Sequence, residues 1–217
     1  MKIIRKWTAP LMGEKEASLH VLVGDVADWM ADDTQMLQHL PLLSPQRRAK
    51  ADAFKQPRGR VLCIGASLLL DMLLQQVGLR ERDMTYVEGE HGKPHFVDAT
   101  VPLGDFSLSH SGHVVAAAMI DRPSPTRIGI DVQHVTRYRP ELVRRMFGAE
   151  ERAALAACVT ETERERCFTD QWCRAEAYAK ATGQGLQWPA PKPVPAAHFT
   201  NLMLEPDYGG WFCVLPT

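Results

Sequence analysis

No stretch of this sequence is long and apolar enough to cross a bilayer. The longest apolar run, Val114–Ile120, is far short of the ~20 residues a membrane helix needs. The N-terminus, MKIIRKWTAPLMGEKEAS, has only two-residue apolar runs and lacks a signal-peptide core. Cysteine is sparse and odd in number, with Cys63, Cys158, Cys167, Cys173 and Cys213. There is no CxxC pair, which argues against a structural zinc site or a disulfide framework and for reduced thiols. Charge of neither sign dominates: 25 Lys and Arg face 26 Asp and Glu, a net of -1. That balance excludes a nucleic-acid coat and an acidic tail, so any anion site must be a local patch. No GxSxG elbow, Walker-type loop, repeat or low-complexity tract is present. What remains is an ordinary globular composition, 45% hydrophobic and 24% charged over 217 residues. The reading is a cytoplasmic chain that neither enters a membrane nor binds nucleic acid.

Local patterning divides the chain. A strand is expected at Leu19–Val23 from its alternation and β-branched content. Ser44-Pro45 opens a helix, and Pro57 is expected to end or kink it. A second helix is expected over Gly59–Gln76, stopped by Gly78. Strands follow at Met84–Val87, Phe106–Leu108 and Val114–Ile120. The segment Asp121–Thr126, with two prolines, is the best internal break, and a strand Arg127–Val132 begins after it. Helices are expected over Pro140–Phe147, Ala149–Cys158 and Thr160–Thr182, and strands over Phe199–Leu204 and Trp211–Leu215. Pro189, Pro191, Pro193 and Pro195 make an extended connector. The order is not a strict βαβα alternation, so the fold class is α+β, with halves 1–120 and 127–217 joined by the linker 121–126.

Four clusters could carry chemistry. Arg47, Arg48, Lys50, Lys55, Arg58 and Arg60 are opposed only by Asp52. Arg47 and Lys50 share a helix face and could hold phosphate, or the run could be a solvated surface. In Gly129-Ile-Asp-Val-Gln133, strand alternation sends Ile130 and Val132 to the core and Asp131 and Gln133 together to the other face. Two oxygen-bearing side chains there suit a hard cation, or simply a polar strand end. Trp172, Glu176 and Lys180 stack on one helix stripe, either as catalytic groups or as an intrahelical ion pair beside a core Trp. Ser109-His110-Ser111-Gly112 is either an anion-contacting turn or an ordinary Ser-rich one.

The order Ser-Pro-x-Arg, Gly92-Lys93-Pro94, Phe106-Ser-Leu-Ser-His-Ser, Gly-Ile-Asp-Val and Trp-x-x-x-Glu-Ala-x-x-Lys resembles the 4'-phosphopantetheinyl transferase superfamily. It is similar to the larger, monomeric type that activates surfactin synthetase. The resemblance implies a pseudo-dimer of two α+β halves with the active site in the cleft between them. It implies transfer of the phosphopantetheine arm of coenzyme A to a serine of an acyl, peptidyl or aryl carrier protein. Such a reaction would serve fatty-acid, polyketide or nonribosomal peptide synthesis. Mg²⁺ would be held by Asp131 and Glu176, with Gln133 acting weakly or through water. Glu176 would also help deprotonate the serine, and Lys180 would neutralise the leaving group. Arg47, Lys50, Arg60 and His110 would hold phosphates, while Lys93, Pro94 and Ser109 line the coenzyme A pocket.

Two positions depart from the family pattern. Gln133 stands where many relatives carry Glu, and Ala175 where most carry Lys directly before the Glu. A catalytically weakened homologue that binds coenzyme A or a carrier without efficient transfer is therefore the alternative reading. On this view Ala175→Lys restores a phosphate-facing cation and raises turnover.

Overall fold

A computed structural model describes residues 1–11, 13–14, 16–32, 34–97 and 101–216. Two strands open the chain, β1 (Lys2–Pro10) and β2 (Ser18–Asp25), followed by short helices α1 (Ala27–Ala31) and α2 (Thr34–Leu37). Helices α3 (Pro45–Asp52) and α4 (Pro57–Gln75) come next, then the small hairpin β3 (Tyr86–Glu88) and β4 (Pro94–Phe96). Strands β5 (Phe106–Ser111), β6 (Val114–Ile120) and β7 (Arg127–His134) lead into helices α5 (Pro140–Met146), α6 (Ala149–Ala157) and α7 (Glu161–Thr182). Strands β8 (His198–Asn201) and β9 (Tyr208–Leu215) end the chain. The class is α+β. No helix among the described residues is long and apolar enough to cross a membrane.

The strands form a four-stranded sheet, β1-β2-β6-β5, the β3-β4 hairpin and a three-stranded sheet, β7-β9-β8, all antiparallel. Alternation along β2 and β6 separates two cores. Leu22, Val115, Ala117 and Met119 pack against the apolar face of α4. Val21, Val23, Ala116 and Ile120 face Ile128, Ile130 and Val132 of β7. The other face of β7 and β9 is covered by α7 through Ala177, Ala181 and Cys213.

The two larger sheets meet edge to edge where β5 lies beside β7, and side chains stand in for a backbone ladder. The N–H groups of Ile128, Ile130, Val132 and His134 donate to Asp105 Oδ2, Ser107 Oγ, Ser109 Oγ and Ser111 Oγ, at 2.9, 3.1, 3.2 and 3.0 Å. The period-2 acceptors along β5 thus satisfy every second N–H of β7, groups that would be costly to bury unpaired. Ser107→Ala should strand the Ile130 N–H in the core and destabilise the fold by about 1–3 kcal/mol. Urea unfolding checks this; an unchanged midpoint would mean the ladder contributes nothing at this rung.

Local rules account for the helices that build the site. Ser44 caps α3, its hydroxyl accepting from Arg47 N at 3.3 Å. Thr160 and Glu163 close a capping box on α7, and Gly183 ends it at φ 73°. Pro57 begins α4 instead of ending α3: at the first helical position its missing N–H is no loss.

Candidate active site

A cavity of about 340 Å³ opens between α3, α4, β5, β7 and α7. It brings together Arg47, Lys50, Pro94, Ser109, His110, Asp131, Gln133, Trp172, Glu176 and Lys180. The four clusters of the sequence therefore face one space. Two expected residues stand outside it. Lys93 is buried, with its ammonium on the Asp105 carboxylate and the Ile128 carbonyl. Arg60 pairs with Asp52 at 2.8 Å. Neither lines the cavity, whereas Lys50 does so although it pairs with Glu88 at 2.5 Å. Phe54, Cys63 and Ala66 complete the wall without having been singled out in the sequence. Their apolar character gave no chemical signal.

At the centre is Asp131, 6% exposed. Its Oδ1 accepts from Lys180 Nζ and from Ser109 Oγ, both at 2.8 Å. Lys180 Nζ also donates to the Ile130 carbonyl at 3.0 Å. Ser109 thus reaches Asp131 and the Val132 N–H together, holding the carboxylate to the β5–β7 seam as well as lining the pocket. Glu176 is half-buried on the same helix stripe as Lys180. Burial first, and then the Asp131 charge, push its carboxyl above the usual range, with Lys180 acting in the opposite sense. His110 is exposed on the wall; crowding by protein and the Lys180 ammonium hold its ring below the usual imidazole range.

The basic side of the cavity is Arg47. It is 6% exposed, its guanidinium lies 4.9 Å over the Tyr86 ring, and its Nε and Nη2 have no hydrogen-bond partner among the described residues. Arg47 lines the cavity, and a guanidinium there is suited to an oxyanion. Opposite it stand the carboxylates of Asp131 and Glu176 and the amide of Gln133. Among the described residues no three His, Cys, Asp or Glu side chains converge as a metal cage. Two carboxylates whose charges disfavour one another, with one amide oxygen, nonetheless match a hard cation that keeps part of its water shell, as Mg²⁺ does.

Ala175 faces elsewhere. With Arg174 it lines a separate cavity of about 490 Å³, among Phe147, Tyr178, Leu186 and Phe199. Arg174 stacks its guanidinium 4.6 Å over the Phe199 ring. A side chain at 175 therefore starts one helical step away from the Glu176–Lys180 stripe, which revises the expectation of a gain from Ala175→Lys. The substitution should leave turnover within about twofold, since the new ammonium has open solvent and the second cavity to choose from. Steady-state rates check this, and a rise of an order of magnitude would show that the lysine reaches the phosphates.

Comparison with known proteins agrees with this geometry. The model of the 4'-phosphopantetheinyl transferase superfamily matches residues 127–205, a stretch containing both Gly129–Asp131 and Trp172–Lys180. The chain is 29% identical to the 4'-phosphopantetheinyl transferase psf-1 of Bacillus pumilus over 71% of its own length. It is 28% identical to the 4'-phosphopantetheinyl transferase ffp of Bacillus subtilis over 69%. It is 29% identical to the 4'-phosphopantetheinyl transferase pptA of Paxillus involutus over 76%. The matches span 64% of the length of each Bacillus relative and 68% of the fungal one. On the family match, these relatives and the motifs gathered around the cavity, the chain is similar to the 4'-phosphopantetheinyl transferase superfamily, most directly over residues 127–205.

Proposed function

We propose that this chain moves the 4'-phosphopantetheine arm of coenzyme A onto a serine of an apo carrier protein, releasing 3',5'-adenosine bisphosphate. The observation that carries the reading is one cavity lined by the basic residues Arg47 and Lys50 together with Asp131, Glu176 and Lys180. In this reading the halves 1–120 and 127–217 form a pseudo-dimer: the first supplies most of the phosphate grip and the second the catalytic groups.

In the reaction the serine oxygen forms a bond to the phosphorus that carries the pantetheine arm. The bond from that phosphorus to the bridging pyrophosphate oxygen breaks, and its electron pair leaves with the adenosine bisphosphate. Such a transfer asks a protein for positioning and charge neutralisation more than for covalent help. Arg47, Lys50 and His110 hold the phosphates, and Pro94 borders the arm. Lys180 donates toward the charge gathering on the leaving oxygen while Asp131 fixes its ammonium. Glu176 takes the serine proton, directly or through a water. Asp131 and Glu176 are the residues that would hold Mg²⁺, with Gln133 bound weakly or through water. The ion would supply polarisation of the pyrophosphate and an acidified water. Arg60 and Lys93 keep structural places in this reading.

The test is to incubate the protein with coenzyme A, Mg²⁺ and an apo carrier, then weigh the carrier by intact mass spectrometry. A gain of one phosphopantetheine is expected. Coenzyme A binding with no gain on acyl, peptidyl or aryl carriers would instead identify a weakened homologue.

A further inference from the structure

The cavity's guanidinium is held from behind by a carboxylate that no sequence motif contains. Glu81 is fully buried, and its Oε2 and Oε1 accept from Ser44 N at 2.6 Å and from Ser44 Oγ at 2.9 Å. Ser44 is the N-cap of α3, and the same hydroxyl accepts from Arg47 N. Glu81 is itself anchored, its N–H donating to Asp71 Oδ1 at 2.9 Å, while Arg80 grips Asp71 with two hydrogen bonds of 3.0 Å. A buried chain of contacts therefore runs from α4 through Asp71, Glu81 and Ser44 to the first turn of α3.

Two roles fit a buried carboxylate at such a place. It could merely close the N-terminus of α3, where a negative charge is welcome. Arg47, however, sits in that first turn, on the Tyr86 ring, with two buried donors unused. Arg47 is also among the charges that hold down the Glu81 carboxyl against the upward push of burial, and the Glu81 charge in turn acts on Tyr86. The carboxylate is thus an electrostatic partner of Arg47 as well as its mechanical support, yet it leaves Nε and Nη2 free.

We propose that Glu81 is a positioning residue for anion recognition: through Ser44 it fixes the first turn of α3 so that Arg47 presents its guanidinium to a phosphate of the substrate. The proposal rests on the functional reading above. Preorganisation of this kind lowers the ordering cost of binding and leaves the chemical step alone.

The test compares wild type, Glu81→Gln, Arg47→Ala and the double variant, with melting temperature recorded for each. Binding of coenzyme A and of inorganic pyrophosphate is measured by calorimetry, and transfer by steady-state kinetics. A glutamine can accept from only one of the two Ser44 donors with the same geometry. Glu81→Gln should weaken binding about tenfold, a loss in line with a hydrogen bond to a charged group. Its kcat at saturating coenzyme A should stay within about twofold, because Glu81 touches no reacting atom. The double variant should bind no worse than Arg47→Ala alone, as expected when two residues act through one contact. Unchanged affinity in folded Glu81→Gln, a fall in kcat with affinity intact, or simple additivity would overturn the proposal. Should Glu81→Gln not fold, Ser44→Ala, which cuts the hydroxyl's bond to Glu81 and the cap bond from Arg47 N but keeps the Ser44 N–H bond to Glu81, is scored by the same criteria. A wild type that binds pyrophosphate and not coenzyme A defeats the functional reading while Glu81 is still scored on pyrophosphate. A wild type that binds neither defeats both.

Discussion

Gly129→Ala is expected to leave the chain unable to fold, or to fold with α7 displaced and the active cavity open. A Cβ at residue 129 would lie 1.9 Å from the Ala177 carbonyl oxygen and 2.6 Å from Ala181 N. Both are backbone atoms inside α7, so no rotamer change relieves the contact. The helix must withdraw from β7, separating Glu176 and Lys180 from Asp131 and opening the seam that buries Ala177, Ala181 and Cys213. The loss should be about 4 kcal/mol or more, an exceptional value for one methyl group. That is a large part of a typical domain's ~5–15 kcal/mol. Gly209→Ala is the control: its Cβ would meet Thr169 Cγ2 at 3.2 Å and Cys173 Sγ at 3.3 Å, side-chain atoms that can shift. Soluble yield and urea midpoints of the two variants decide. A Gly129→Ala protein as stable as Gly209→Ala would show that α7 can slide on this sheet without penalty. The glycine of the Gly-Ile-Asp motif thus has a mechanical reason: it lets a helix approach close enough for its carboxylate and ammonium to meet the strand's aspartate.

That motif shows why much of the site could be read from the sequence. Strand alternation alone separated Asp131 and Gln133 from Ile130 and Val132, and helical spacing alone aligned Trp172, Glu176 and Lys180. Both rules are local, and the structure obeys them. Strand β6 was legible from its apolar run, and helix α7, Glu161–Thr182, fills the expected span Thr160–Thr182. What escaped depends on partners distant in sequence. Strand β1 is charged and mostly exposed, and it is a strand because β2 lies beside it. Strand β9 begins at Tyr208, three residues before the expected Trp211. Gly209 and Gly210 lie in the added residues, where their lack of Cβ admits Thr169, Cys173 and Leu202. Expected Phe199–Leu204 shortens to β8, His198–Asn201, because the chain turns at Met203, where φ is 50°. Lys93 and Arg60 are basic residues in promising positions, and only the fold shows that they pair with Asp105 and Asp52 outside the cavity. Glu81 gave no signal at all, since its partner Ser44 is 37 residues away.

The largest effect on activity is expected from the two carboxylates, and their variants should part company on stability. Asp131 is buried and accepts two hydrogen bonds, one from an ammonium. Even the isosteric Asp131→Asn should cost about 1–3 kcal/mol, as loss of a hydrogen bond to a charged group does. Glu176 has no such ties among the described residues. Burial and the Asp131 charge raise its carboxyl, so at neutral pH its ionised form opposes folding of the metal-free protein. A carboxyl with a raised folded value destabilises above that value, and the effect vanishes below its unfolded value, where both states are protonated. Glu176→Gln should therefore melt at or above wild type at neutral pH in a chelator, with the difference gone at acid pH. Transfer should fall about 10²-fold or more in both variants, the scale for removing a group that organises transition-state charge. Mg²⁺ supplies the deciding measurement. It should raise the melting temperature of wild type, because binding to the folded state alone stabilises it, and should do so far less for either variant. Equal Mg²⁺ shifts in all three proteins would place the cation away from Asp131 and Glu176. A Glu176→Gln protein with near-normal transfer would remove Glu176 from the reaction altogether.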